Sequence, residues 1–218
     1  MTVGIIGDLH APFEHKKYFD FVVDTFNEWH VDRVVQIGDV VDNHSIGFWD
    51  SDPDGLSSGD EIKLVRKHLK KWHEMFPGIE VTLGNHDDRI RRRLYGNGIS
   101  SLVMKDLPEI FGVPSWKFVN ELVIDDVLYQ HGLGGTGKTG AENLALKNRQ
   151  SVVIGHSHAF GGCKYIANYK DTVFALNVGC GIDDKAYAFA YGRAFPMKST
   201  LGCGIIKDGK EGYFIPMI

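Results

Sequence analysis

The sequence predicts an α/β protein of two packed mixed β-sheets flanked by helices, and three observations carry that reading. The first half alternates short apolar runs with amphipathic stretches in a β-α-β order. The second half is dominated by short alternating stretches separated by turn residues, as paired strands are. Five apolar runs end directly in a polar cluster, which puts reactive side chains at strand ends, where parallel strands gather their loops.

Residues 3–7 are apolar and glycine-rich, as a buried strand should be, and Pro12 and Phe13 separate them from a helical pattern. Phe19, Val22, Val23, Phe26 and Trp29 recur at helical spacing and predict a helix over about residues 18–30. Residues 33–37 return to a strand and complete the unit. Between 43 and 59 the composition turns to Ser, Asp, Gly and Pro with isolated Phe48 and Trp49, the pattern of a long irregular loop. Ser58 and Glu61 then read as a capping box. Ile62, Val65, Leu69, Trp72 and Phe76 form the buried stripe of a second helix, which ends near Pro77-Gly78. Residues 79–83 are the third strand. A short basic helix and a mixed segment to Pro114 follow. Two alternating stretches, 117–124 and 127–131, then flank a hairpin turn at Asp125-Asp126. Residues 141–148 read as a helix, 152–154 and 172–178 as strands, and 201–218 as a final hairpin turning at Asp208-Gly209. Tyr187, Phe189 and Tyr191 alternate as strand packing does, and together with Phe195 they are assigned no function.

The 218 residues suit one domain spanning 1–218, with 43% hydrophobic and 24% charged residues and no internal repeat. A formal net charge of −4 gives no overall footprint for nucleic acid or an acidic membrane. No stretch has the length of a membrane span and no leader is recognisable, so a cytoplasmic protein without membrane partners is expected. Cys163, Cys180 and Cys203 fit neither a disulfide framework nor a thiolate zinc site, and read as reduced, mostly buried side chains.

The polar clusters are Asp8 with His10, Gly38-Asp39-Val40-Val41-Asp42, Gly84-Asn85-His86-Asp87, Gln130-His131-Gly132 and Gly155-His156-Ser157-His158. In an extended chain residues i and i+2 face one side, so Asp8 with His10, and His156 with His158, would each send two side chains into one pocket. Asp39 adds a carboxylate able to bridge two cations, Asn85 an amide oxygen and His131 an imidazole. Seven oxygen and nitrogen donors without a thiolate argue against a structural zinc knot, and so many imidazoles argue against magnesium alone. Two divalent ions from Mn, Fe, Zn or Ni, with manganese favoured, fit such a set.

In this order the clusters resemble the signature of the calcineurin-like metallophosphoesterases, GD-x-H, GD-x-x-D, GNH-D/E, H and GH-x-H, between residues 7 and 158. The small phage and bacterial members are the nearest in kind. The resemblance implies that Asp8, His10, Asp39 and His158 hold one metal and Asp39, Asn85, His131 and His156 the other. It implies hydrolysis of a phosphomonoester or phosphodiester by a hydroxide bridging the metals. His86 would assist the leaving oxygen, and Asp42 would orient His86. The sequence departs from the serine/threonine protein phosphatase branch, whose phosphate-gripping arginine is replaced by Asn43, followed by His44. Protein phosphatase activity is therefore not expected.

Asn43 and Arg89 are candidate substrate contacts, with His44 read as a surface loop residue. Arg91, Arg92 and Arg93 are either further positive charge for substrate or polynucleotide, or a solvated helix face. The implied partner is a phosphoester substrate, with nucleotide or nucleic acid as candidates. One alternative is a DNA exo- or endonuclease resembling the double-strand-break-repair branch of the superfamily. Another is a nucleotide-binding P-loop, because Gly132-Leu133-Gly134-Gly135-Thr136-Gly137-Lys138-Thr139 matches G-x-x-x-x-G-K-[ST]. That loop is preferred as a glycine-rich flap beside the metals, with Lys138 reaching substrate phosphate. A non-catalytic scaffold is the third alternative, disfavoured because a suitable donor stands at every ligand position.

Overall fold

Strand alternation decides how the layers form. In β1 (Thr2–Ile6) Val3 and Ile5 face one way, while Ile6 and the open side of Gly4, against the Phe26 ring, face the other. Such a strand has two apolar faces and needs cover on both. The computed structural model describes residues 1–48, 55–186 and 198–218, so Trp49, Tyr187, Phe189, Tyr191 and Phe195 lie outside the described residues.

The first sheet contains β1, β2 (Arg33–Gln36), β3 (Glu80–Thr82), β4 (Lys117–Val119) and the C-terminal pair β10 (Gly202–Lys207) and β11 (Glu211–Pro216), in the order β11-β10-β1-β2-β3-β4. The strands from β1 to β4 run parallel, and β10 joins β1 antiparallel. The second sheet contains β5 (Glu121–Ile124), β6 (Val127–Gln130), β7 (Ser151–Ile154), β8 (Gly161–Ala167) and β9 (Thr172–Val178), in the order β5-β6-β7-β9-β8. Both are mixed sheets.

Between the sheets lie Val3, Ile5, Val35, Ile37, Tyr129, Val153, Phe174, Leu176 and Val178. Each such side chain fully removed from water contributes about 1.5–3 kcal/mol. On the outer face of the first sheet, α1 (Tyr18–Glu28) and α2 (Ser58–Met75) bury Val22, Phe26, Val65, Leu69 and Trp72. On the outer face of the second, α5 (Gly140–Asn148) packs Ala141, Leu144 and Ala145 against Leu128, Val152, Ile154 and Ala175. Two shorter helices, α3 (Arg89–Gly96) and α4 (Leu107–Phe111), follow β3. The result is the expected pair of mixed sheets with helices on both sides. No helix among the described residues is long and apolar enough to cross a membrane.

The structure departs from the sequence reading in three places. The alternating stretch 117–124 is two strands, because the chain leaves the first sheet after Val119 and enters the second at Glu121. Alternation reports a pleat but not a partner. β8 was not expected, since it opens on two glycines at the sheet edge, where few side chains are buried. The cap of α2 is one residue earlier than the capping box suggests, at Ser57, whose hydroxyl accepts from the Asp60 amide. Glu61 turns inward instead. The turns at Asp125-Asp126 and Asp208-Gly209 form as expected, all four residues having the left-handed φ that a tight hairpin requires.

Candidate metal centre

The polar clusters come together at the carboxyl ends of the parallel strands of both sheets. Asp8, His10, Asp39 and Asn85 come from the loops after β1, β2 and β3, while His131, His156 and His158 come from those after β6 and β7. The donor atoms of Asp8, His10, Asp39 and His158 lie within 4.8 Å of one another, as do those of Asp39, His131 and His156. Asp39 belongs to both groups. Asn85 joins the second, its Oδ1 lying 3.2 Å from His131 Nε2.

The backbone reaches this arrangement by a different route from simple strand alternation. His10, Asp39 and His156 have φ of 48°, 48° and 64°, so each is in the left-handed region that non-glycine residues seldom occupy. The Asp8/His10 and His156/His158 pairs thus converge through turns, not through an extended chain. Such strained residues persist only where the surroundings hold them. Close approach also explains two glycines: a Cβ at Gly84 would lie 2.2 Å from Asp39 Oδ1, and one at Gly155 would lie 2.1 Å from Asp8 Oδ1.

Hydrogen bonds decide where the lone pairs point. His131 Nδ1 lies 3.0 Å from the Ile37 carbonyl, which can only accept, so a ring proton is there and Nε2 is the nitrogen directed inward. His10 Nδ1 lies 2.6 Å from Asp42 Oδ1, and its Nε2 is likewise directed at the centre. His10 Nε2 then meets His158 Nε2 at 3.1 Å and Asp39 Oδ2 at 3.4 Å. His131 Nε2 meets His156 Nδ1 and Asp39 Oδ2, both at 3.2 Å. Asp8 Oδ2 lies 3.1 Å from His158 Nε2, and Asp8 Oδ1 is buried without a hydrogen-bond partner. Carboxylate oxygens and imidazole nitrogens converging in a buried pocket call for positive charge between them, carried by protons or by cations. The residues therefore fit a divalent cation in each group.

The electrostatics agree. Burial depresses the His10 and His131 imidazoles, but Asp39, joined at His10 by Asp42, pushes them up to about 10 and about 9. Asp39 itself is held well below the usual carboxylate range against its burial, chiefly by His131 and His86. His156 is lowered by burial and by His131. Asp87, fully buried, is pushed up to about 7 by burial and by Asp39. Its oxygens accept from the Gly84 and Val41 amides, tying together the loops that carry Asn85 and Asp39.

Asp42 touches two histidines. Its Oδ1 lies 2.6 Å from His10 Nδ1 and 3.0 Å from His86 Nδ1, so it can orient a member of the donor cluster as well as His86. His86 is lowered by burial and lies beside the cluster, its ring 4.3 Å from that of His10. Asn43 does not face an open pocket: it is buried, and its side-chain amide donates to the His86 carbonyl at 2.9 Å. Arg89 is also buried, its guanidinium set against the Asp42 and Asn43 carbonyls and against His86.

The other arginines of α3 act on the protein itself. Arg93 donates to the carbonyls of Ile46 and Gly47, Arg92 and Arg93 both lie over the Phe48 ring, and Arg91 pairs with Asp88 at 2.7 Å. The basic run clamps the loop after Asp42. His44 is not a surface residue but is 4% exposed, with Nδ1 3.0 Å from Glu61 Oε1. Glu61 also accepts from the His44 and Ser45 amides and the Ser45 hydroxyl. No sequence pattern pointed to this contact, because Glu61 also fits a surface capping box.

The loop 132–139 is a chain of turns with Gly132, Gly134 and Gly137 at positive φ, and the Gly137 amide donates to Ser157 Oγ. Lys138 lines a groove of about 240 Å³ with Phe160, Lys164 and Glu142, and that groove's walls include none of the seven donors.

Comparison with known proteins agrees with the fold. The model of the calcineurin-like phosphoesterase family matches residues 1–179. The gene 54 protein of Mycobacterium phage L5 is 25% identical over 198 residues, covering 81% of this chain and 78% of the phage protein. A metallophosphoesterase from Sphaerobacter thermophilus superposes over 100% of this chain and 89% of its own, with a TM-score of 0.50 and 15% identity. The Escherichia coli phosphoesterase Yfce gives 0.45 and 14%, over 95% and 88% of the chains. With a family match across most of its length and the donors gathered at the strand ends, the chain belongs to the calcineurin-like phosphoesterases and is a metal-dependent phosphoesterase.

Proposed function

We propose that the chain hydrolyses a small phosphoester, a monoester or a diester of the nucleotide kind, using two divalent cations at the junction of the sheets. The observation that carries this is the convergence of acceptor atoms on Asp39 from both sides. Asp8, His10, Asp39 and His158 would hold one cation, and Asp39, Asn85, His131 and His156 the other. Carboxylate and amide oxygens mixed with imidazoles suit manganese, with Fe, Zn and Ni as the other candidates. When bound, two such cations neutralise phosphate oxygens and acidify a water between them.

The chain's own residues supply orientation. Asp42 holds His10 and His86 together, and the Ile37 carbonyl fixes the ring of His131. His86, beside the donor cluster, is the candidate to assist the leaving oxygen. Lys138, next to the Gly137 whose amide donates to Ser157 Oγ, is the candidate contact for a more distant phosphate. A small substrate is favoured over a polynucleotide because the α3 arginines are turned to Asp88, Phe48 and loop carbonyls.

Metal analysis with parallel assays on a phosphomonoester, a phosphodiester and single-stranded DNA tests the reading. Turnover of one of the first two with two metals per chain is expected. Two bound metals with no turnover of any of the three would overturn it.

A further inference from the structure

The glycine-rich run from Gly132 to Thr139 leads straight into α5, whose N-cap is Thr139. It begins beside the donor His131, and its Gly137 amide donates to the hydroxyl of Ser157, between the donors His156 and His158. Beyond that bond the run borders a groove of about 240 Å³ between the first turn of α5 and the strands β8 and β9. Lys138, Ala141, Glu142, Phe160, Lys164 and Asn177 are among its walls.

Asn177 is the telling member, a polar side chain only 7% exposed. Alternation along β9 sends Leu176 and Val178 into the core between the sheets, and so turns Asn177 outward with Ala175, toward α5. The Gly179 amide can only donate, so the atom it meets at 3.1 Å is Asn177 Oδ1. The hydrogens of Nδ2 are left without an acceptor among the described residues. Lys138 likewise has no ion-pair partner among the described residues, whereas the carboxylate in the walls, Glu142, is matched by Lys164 at 3.6 Å. The amides of the first turn of α5 have no carbonyl within their own helix, and the helix dipole adds positive potential there. The groove is therefore built for an anion. Its volume lies below the roughly 300–1,000 Å³ of pockets that enclose a drug-sized ligand, so it suits one compact group and not a base with its sugar.

We propose that this groove binds a second, uncleaved phosphate group of the substrate, through the Lys138 ammonium and the Asn177 side-chain amide. The preferred substrate is then a phosphoester that carries two phosphate groups, one for the metals and one for the groove, whose walls include none of the seven donors. The inference rests on the hydrolytic reading proposed above.

In the zinc-loaded protein, titration with inorganic phosphate should shift the NMR signal of the Asn177 side-chain amide to saturation, and Lys138→Ala should weaken that response about 10-fold. Lys138 is exposed, so its loss leaves the packing intact. No shift in the parent would overturn the proposal, as would an equal response in the variant, which would place the phosphate at the metals alone. This readout needs no turnover, so it decides the site even if every phosphoester assay fails. In turnover, the parent should show a KM about 10-fold lower for adenosine 3′,5′-bisphosphate than for adenosine 5′-monophosphate, and Lys138→Ala should remove the difference. Equal KM values in the parent would mean that the groove takes free phosphate only, and would overturn its assignment to substrate.

Discussion

Asp39 stands between two groups of donors, and its substitution separates a shared ligand from an ordinary one. Asp39→Ala should lose both metals, read as metal content per chain by elemental analysis; a variant that still holds one ion tightly would show that the carboxylate is not shared. His86→Ala should behave in the opposite way. It removes no donor of either group, so metal content should be retained while turnover falls about 10²- to 10⁴-fold. Parental turnover in that variant would remove His86 from the chemistry. At this scale the sequence was most informative about residue types. The seven donors and His86 are legible because each follows an apolar run and stands beside glycine or at a fixed spacing. The tasks of Asn43, His44 and Arg89 were not legible. Each binds a partner supplied by another loop or helix, and nothing in a local pattern names that partner.

Among the elements, the loop after Asp42 depends on clamps from two helices, with the α3 arginines on one side and Glu61 of α2 on the other. Burial works against charge on both His44 and Glu61, yet their mutual contact raises the His44 imidazole and lowers the Glu61 carboxyl. The stabilisation from a raised His44 is fully present below its ordinary value, about 6.5, and is lost as pH rises through the folded value. That from a lowered Glu61 is present above its ordinary value, about 4.5, and is lost as pH falls through the folded value. The pair therefore stabilises most between about pH 4.5 and 6.5. Glu61→Gln should cost about 1–3 kcal/mol there, since it leaves buried partners poorly satisfied. Melting curves of parent and variant across pH should differ most in that window, and the gap should narrow as pH rises through the folded value of His44 or falls through that of Glu61; a gap independent of pH would show that the ion pair is not its source. The existence of α1, α2 and α5 was readable from apolar periodicity. The frame of the α2 cap was not, because Ser57 and Ser58 offer the same chemistry and only the inward turn of Glu61 distinguishes them.

For the whole molecule, the donors are divided between the sheets, four from the first and three from the second. Cations held between them would join the two layers. Binding to the folded chain alone stabilises it by about 4 kcal/mol at a thousandfold excess over Kd. Added Mn²⁺ should thus raise Tm, a chelator should lower it, and Asp39→Ala should abolish the response; an unchanged Tm in the parent would argue against binding across the sheets.

By itself the sequence determined the kinds of layer and the inventory of chemistry: alternating apolar strands, amphipathic helices, and carboxylates, imidazoles and an amide at strand ends. These are local properties, since a pleat and a helical stripe are written within ten or so neighbouring residues. Only the tertiary structure decided which lone pairs meet. His10 and His158 are 148 positions apart and come within 3.1 Å because two separately paired sheets pack face to face. The same packing sends residues 117–119 and 121–124 into different sheets. It also turns Arg89 inward to His86, a contact whose geometry depends on the loop from another strand and not on the arginine's place in the sequence.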